Sequence, residues 1–374
     1  MRNDVNQVIE KVIEKFRRTV PLAAVQHNVP YASRDGKWIE SPWHLGNSWW
    51  TAGFWPGMMW LLNALSPDEI FHNEALRTTE LMTEEFRVYR HLNHDVGFMY
   101  LLSCGARHKL EGDEQSKWDT LHAASLLMGR FNPTTMPRGG YIKAWDGKDY
   151  AIIDCMMNLP LLHRASRETG DPRFAAEARI HADKAKKHFV RTDGSCRHIV
   201  EFDPVTGDFV CEHGGQGYGV GSSWSRGQAW ALYGFTLLAM NTENADDLAT
   251  AERIAQYFAA NIREDGLVDC DFCQPKDVHR LDNIASSCAA CGFIELARLT
   301  GKDEYQQAAE KLLDGLIDHC CDLDPNGPYC GILTHCTAAY HDDNVGTHTN
   351  ITYGDYFFVE ALCKVAERDP MLWS

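Results

Sequence analysis

AIIDCMMNLPLLHRASRETGDPRFAAEARIHADKAKKHF, running from Ala151 to Phe189, contains two helical patterns of different character. Its first half is mostly apolar, as expected of a helix buried on every side, whereas residues 172–189 are amphipathic and heavily charged. Between them lies Arg167-Glu168-Thr169-Gly170-Asp171, a glycine stop followed within a few residues by a new helix. The stretch is thus a hairpin of one inner and one outer helix.

The same alternation extends in both directions. Mostly apolar segments fall near 49–64, 95–108, 152–168, 224–241, 283–299 and 354–367, with amphipathic ones at 3–19, 67–89, 114–130, 172–189, 245–262 and 303–320. A second inner-to-outer joint is Arg298-Leu299-Thr300-Gly301-Lys302, and the outer helices end in the parallel joints Arg191-Thr192-Asp193-Gly194 and Arg263-Glu264-Asp265-Gly266. The expected fold is all-α: an (α/α)6 barrel of six inner and six outer helices, with residues 1–374 as a single catalytic domain. An open tetratricopeptide solenoid fits less well, because the repeat spacing is irregular and its Trp-Leu-Gly-Tyr signature is absent. In a closed ring of antiparallel layers all inner helices point the same way. Their starts carry Trp49, Trp50, Asp95, Asp154, Trp224, Arg226, Asp282 and Asp355, which should converge on one mouth together with several positive helix ends.

Composition narrows the function. The formal net charge of −16 disfavours nucleic acid or an anionic membrane as partner. The N-terminal residues Val5, Val8, Ile9, Val12, Ile13 and Phe16 form one helix face without the apolar core of a signal peptide, and the stretch from Gly53 to Leu65 is too short to span a bilayer. Thirteen cysteines, an odd number, without an export signal point to a reducing cytoplasm. Cys270, Cys273, Cys288 and Cys291 form two C-x-x-C pairs spaced almost as in a zinc site. The second pair lies in a small-residue inner helix, where Cys serves as tight packing, so no metal is expected.

Asp154 begins an apolar run, and Asp95 opens another in His94-Asp95-Val96-Gly97-Phe98. A desolvated carboxyl has a raised pKa and can donate a proton near neutrality, and two such groups suggest sugar chemistry. The alternative is that both are helix N-caps accepting backbone N–H bonds. The stretch from Trp43 to Gly57 is unusually rich in tryptophan, and sugar rings stack on such side chains; Trp49 is the preferred stacking residue, against a packing role. Gln216 to Trp230 combines a glycine loop with a helix start, but it has neither the Gly-Lys-Ser/Thr ending nor the preceding strand of a phosphate loop. Arg226, one turn into an apolar helix, needs a carboxylate opposite it: an acidic sugar, or one of the two aspartates. Asp282 and Asp355 are expected as N-caps, and His198 has a structural reading with Arg197 and Glu201 as neighbours.

The segments HDVGF at 94–98, AIIDCMMNLPLL at 151–162, RHIVEFDPVTG at 197–207, SSWSRGQAWALYGF at 222–235 and GDYFFVEAL at 354–362 resemble those of the unsaturated glucuronyl hydrolases, glycoside hydrolase family 88, from about residue 40 to the end. The resemblance implies an (α/α)6 barrel, no cofactor and no metal. It also implies action on lyase-generated oligosaccharides, often disaccharides, that carry a C4=C5 double bond in the nonreducing-end uronic acid. By that likeness Asp154 protonates C4 and activates the water that adds at C5, and Asp95 holds ring hydroxyls and tunes its partner. His94, His198, Gln216, Ser222, Arg226 and Trp230 line the sugar site, Trp49 and Trp145 stack, and Tyr340 closes the C-terminal side. Gly346-Thr347-His348-Thr349-Asn350 lacks the lysine of relatives that accommodate sulfate, favouring unsulfated substrates. Rival readings are the unsaturated rhamnogalacturonyl hydrolases on the same barrel, an (α/α)6 sugar epimerase, which should depend on paired histidines, and a helical-repeat scaffold.

Overall fold

The computed structural model describes residues 1–43, 45–89, 91–135, 139–342 and 346–374. Its helices are α1 (Val5–Ala23), α2 (Phe54–Leu65), α3 (Glu69–Val88), α4 (Val96–Tyr100), α5 (Cys104–Glu111), α6 (Glu114–Gly129), α7 (Cys155–Thr169), α8 (Pro172–His188), α9 (Ser225–Thr242), α10 (Ala245–Ala260), α11 (Asn283–Thr300), α12 (Asp303–His319) and α13 (Thr352–Val365). Helices α4 and α5 occupy one inner position, interrupted where Ser103 leaves the helical region (φ −104°, ψ −94°) and its Oγ donates back to Met99 O.

The ring closes as an (α/α)6 barrel. Inner helix α2 packs on α13, α13 on α11, α11 on α9, α9 on α7 and α7 on α4, and α5 returns to α2. Outside them, α3 covers α2, α6 covers α5, α8 covers α7, α10 covers α9, α12 covers α11 and α1 covers α13. The hairpin joints are as the sequence predicts: Gly170 and Gly301 take left-handed backbone (φ 72° and 67°) and cap α7 and α11 by donating to Ser166 O and Ala297 O. Aromatic side chains fill the ring. Phe98 meets Trp230 at 5.2 Å, and Phe357 and Trp373 lie parallel at 6.2 Å, so the interior of the barrel is packed. Among the described residues, no helix is long and apolar enough to cross a membrane.

The sequence pattern showed no strands, yet short ones line the rim. They are β1 (Ala32–Arg34), β2 (Lys37–Ile39), β3 (Phe131–Asn132), β4 (Tyr141–Ile142), β5 (Tyr150–Ile152), β6 (Ile199–Phe202), β7 (Phe209–His213) and β8 (Asn350–Ile351). They form antiparallel sheets in the orders β2-β1-β8, β3-β4 and β5-β6-β7. Runs of two to five residues are too short to carry a period-two signal. These sheets build the loops above the inner-helix N-termini into a raised wall.

Candidate active site

The inner-helix starts do meet at one mouth. Trp49 and Trp50 precede α2, Asp95 stands at the N-cap of α4, Asp154 at that of α7 and Trp224 at that of α9, and Tyr353 lies in the first turn of α13. All six line a cavity of about 350 Å³, within the range of small-ligand sites.

Neither Asp95 nor Asp154 makes a capping hydrogen bond through its side chain, although both occupy N-cap positions. That removes the N-cap alternative for each. Instead their carboxylates face one another across a histidine: His94 Nε2 is 3.5 Å from Asp95 Oδ1 and 3.8 Å from Asp154 Oδ1. Burial raises the Asp154 carboxyl to about 7, the N–H groups at the start of α7 offsetting only part of the effect. Asp95 is raised well above the usual carboxylate range by burial and then by the charge of Asp154. Burial holds His94 well below its ordinary pKa, so it is neutral, and among the described residues neither ring nitrogen has a hydrogen-bond partner. Two like-charged carboxylates sharing a desolvated site retain a proton between them near neutrality. The arrangement is one acid-base group, one partner and a neutral imidazole between them. These three side chains also form a set of ligand atoms lying within 4.8 Å of one another.

The facing wall comes from the glycine loop, which follows directly on β7 although no strand was expected before it. Gly215 adopts φ 56°, and a Cβ there would come within 2.2 Å of His198 Nδ1, so only glycine lets the loop fold over this ring. His198 Nδ1 lies 3.1 Å from Gln216 N and 3.2 Å from Gly214 O, and its tautomer decides which of the two it bonds. Burial lowers His198 to about 3, so the ring is neutral. Its face rests on Trp224 at 4.3 Å, while Gln216 Nε2 donates to Ala338 O at 2.7 Å. Trp49 stacks on Trp43 at 4.3 Å, and the indole N–H groups of Trp49 and Trp224 are buried without a partner among the described residues. Trp145 lies at the rim, 40% exposed, and Trp230 forms the floor.

Three residues expected at the sugar site lie elsewhere. Arg226 is fully buried behind the wall, where it bonds Asp282 Oδ2 at 2.9 Å, Thr337 O at 2.8 Å and Ala338 O, with its guanidinium 4.5 Å from the Trp224 ring. Its carboxylate partner is therefore Asp282, not Asp95, Asp154 or a sugar. Asp282 is also the N-cap of α11, accepting from Ile284 N, so it does both tasks. Ser222 turns away from the cavity, its Oγ donating to Asp271 Oδ2 at 2.7 Å. Tyr340 is buried beside Tyr218 and under Arg280, and the cavity is lined by its neighbours Ala338 and Ala339. Asp355, expected as an N-cap, lies inside the first turn of α13 and instead accepts from Ile332 N and Leu333 N. The four cysteines of the two C-x-x-C pairs do not gather into a set of three or more ligand atoms within 4.8 Å, among the described residues.

Sequence reasoning missed Tyr31, Asn93, Asp342 and Tyr353 as lining residues. Asn93 could have been found, since it directly precedes His94-Asp95 and its Oδ1 accepts from Asp95 N at 2.8 Å. Tyr31 is brought in by the β1 strand and Asp342 by a long loop, and neither carries a local signal.

A ring of paired helices with two desolvated aspartates and stacking tryptophans at its mouth defines a carbohydrate-active hydrolase of the (α/α)6 type. The chain belongs to Glycosyl Hydrolase Family 88, whose model matches residues 13–368. It is 37% identical over 341 residues to the unsaturated glucuronyl hydrolase of Bacillus sp. (strain GL1), covering 87% of this chain and 89% of that one. It is 31% identical over 392 residues to the unsaturated chondroitin disaccharide hydrolase of Streptococcus pneumoniae (strain ATCC BAA-255 / R6), covering 100% and 94% of the two chains. A solved structure of an unsaturated glucuronyl hydrolase carrying an aspartate-to-asparagine substitution, with dGlcA-Glc-Rha-Glc, superposes with a TM-score of 0.90 at 33% identity over 98% of each chain.

Proposed function

We propose that this glycoside hydrolase removes the unsaturated uronic acid from the nonreducing end of lyase-generated oligosaccharides by hydrating its C4=C5 double bond. The observation that carries the reading is the pairing of Asp154 and Asp95 across a neutral His94, with an Asp154 carboxyl that keeps its proton up to about pH 7. Asp154 delivers that proton to C4 of the vinyl ether, and as a carboxylate it then takes one from the water that adds at C5. The product is a hemiketal at C5. It opens by breaking the bond from C5 to the ring oxygen, and the hemiacetal left at C1 expels the neighbouring sugar as an alcohol. One water is consumed, and the ring-opened keto acid and the shortened saccharide leave. Asp95 holds ring hydroxyls, and the repulsion between the two carboxylates keeps one proton on the pair. Trp49 and Trp145 stack the sugars, and His198, Gln216 and Trp230 set the ring against Asp154.

The relatives support this substrate class, one being named for unsaturated chondroitin disaccharides and a solved one holding dGlcA-Glc-Rha-Glc. Among the described lining residues there is no lysine or arginine, and Asp342 adds a carboxylate, which favours unsulfated saccharides. The uronate is then held by inner-helix N-termini. The thirteen cysteines, all free, support a cytoplasmic site of action.

The test is to incubate the enzyme with unsaturated disaccharides from chondroitin, hyaluronan, heparin and gellan and follow the ultraviolet absorbance of the conjugated double bond. Loss of absorbance with one of them, and label at C5 of the product made in heavy-oxygen water, is the expected result. No loss with any of the four, or label only at C1, rejects the proposal.

A further inference from the structure

Apart from the trio at the cavity, the described residues bring one other set of metal-ligating side chains together: Glu201, Cys211 and His213 on the β6–β7 hairpin. Glu201 and Cys211 are directly opposed across the antiparallel pair, and His213 follows Cys211 by two residues, so the alternation of a strand puts all three on one face. Cys211 Sγ lies 3.5 Å from Glu201 Oε2 and 3.6 Å from His213 Nε2, and His213 Nε2 lies 2.8 Å from Glu201 Oε2.

Those separations can be compared with what an ion requires. Tetrahedral zinc, with bonds of about 2.3 Å to sulfur, 2.05 Å to nitrogen and 2.0 Å to oxygen, needs S–O, S–N and N–O edges of roughly 3.5, 3.6 and 3.3 Å. Two edges of that triangle are already in place. The third is a hydrogen bond that has to open by about 0.5 Å, which a carboxylate rotamer supplies.

We propose that Glu201, Cys211 and His213 form a binding site for a zinc-class divalent ion with three protein ligands. Thiolate, imidazole and carboxylate together match zinc's ligand preferences, not those of calcium or magnesium, which take oxygen. Binding releases the thiol proton and takes the Nε2 lone pair, leaving the imidazole N–H on Nδ1. All three residues are partly exposed, so water completes the coordination. The site lies on the same sheet face as Ile152 and Ile199, which line the substrate cavity, and Tyr150 bridges from His213 (4.7 Å) to Trp145 (6.2 Å). An ion there ties the outermost strand to the sheet that forms the cavity wall.

Cobalt(II) reports the site directly, since only a thiolate ligand gives a near-ultraviolet sulfur-to-metal charge-transfer band. The full chain, freed of metal and titrated with cobalt(II) chloride, should show that band with tetrahedral visible absorption saturating at one equivalent, and zinc should abolish both. C211S should lose the band, H213A and E201Q should shift saturation to at least tenfold higher cobalt, and C273S, which removes an exposed thiol elsewhere, should retain it. The carboxylate and imidazole trio at the cavity holds no sulfur among its ligands and cannot imitate this signal. Circular dichroism of each variant checks that the helical ring is intact. No charge-transfer band in the native chain, or a band that survives in C211S, overturns the proposal.

Discussion

Replacing Asp154 by asparagine should make the enzyme inactive and more stable at once. The carboxyl is nearly buried, its side chain 16% exposed, and its pKa rises from 3.8 to about 7 on folding. Below pH 3.8 the folded and unfolded chains are both protonated and the group contributes nothing. Between 3.8 and about 7 the unfolded chain ionises while the folded one keeps its proton, so folding stability falls by about 1.4 kcal/mol per pH unit. Above pH 7 the full penalty of about 4 kcal/mol is present. Asparagine has the shape of the protonated acid and cannot ionise, so D154N escapes this slope. Removing the Asp154 charge also relieves Asp95, whose pKa that charge raises, which acts in the same direction. Urea denaturation of both proteins at pH 4, 5, 6, 7 and 8 should show a gap that is near zero at pH 4, widens steadily, and levels off above 7 in favour of the variant. The same samples, assayed with an unsaturated disaccharide, should lose activity by about 10²–10⁴-fold or more. A gap that does not change with pH refutes the placement of a desolvated proton on this pair, and appreciable turnover by D154N refutes Asp154 as the proton donor.

Other substitutions test the rest of the site. Trp49→Ala should raise KM by roughly fivefold, the equivalent of about 1 kcal/mol of ring stacking, with kcat changed less; an unchanged KM would return Trp49 to a packing role. Arg226→Met strands the fully buried Asp282 carboxylate and should cost about 3–5 kcal/mol in urea denaturation, with much of it recovered when Asp282→Asn is added. If Arg226→Met instead raises KM at undiminished stability, the arginine acts on substrate. Gly215→Ala combines a left-handed backbone with a Cβ 2.2 Å from His198 Nδ1, and should lose about 1–2 kcal/mol of stability together with activity, both measured on one preparation.

Much of this architecture is legible in the residues because burial on all sides and burial on one side leave different patterns. The stop at Gly170 and the restart at Pro172 are visible without any partner in view. Asp154 and Asp95 could be singled out because an ionisable group beginning an apolar run is expensive anywhere. What a buried charge faces is another matter. Arg226 needs an anion, but Asp282 sits 56 positions along the chain on another inner helix, and a capping role by itself explains an aspartate there. Ser222 belongs to a segment that does border the site, and only the position of Asp271 turns its hydroxyl away. Tyr31 and Asp342 reach the cavity through a short strand and a loop, whose paths are set by pairing with distant chain and not by local composition.

The closure of the ring between α2 and α13 also bears on how the molecule is made. These helices come from opposite ends of the sequence, and Tyr353, on the later one, forms part of the cavity. As the chain emerges from the ribosome, each hairpin can coil locally, but the apolar flank of α2 has no neighbour on that side until α13 is synthesised. Catalytic competence therefore waits for α13, and a nascent chain stopped before it exposes a sticky helical edge open to chaperones or to a swapped second copy.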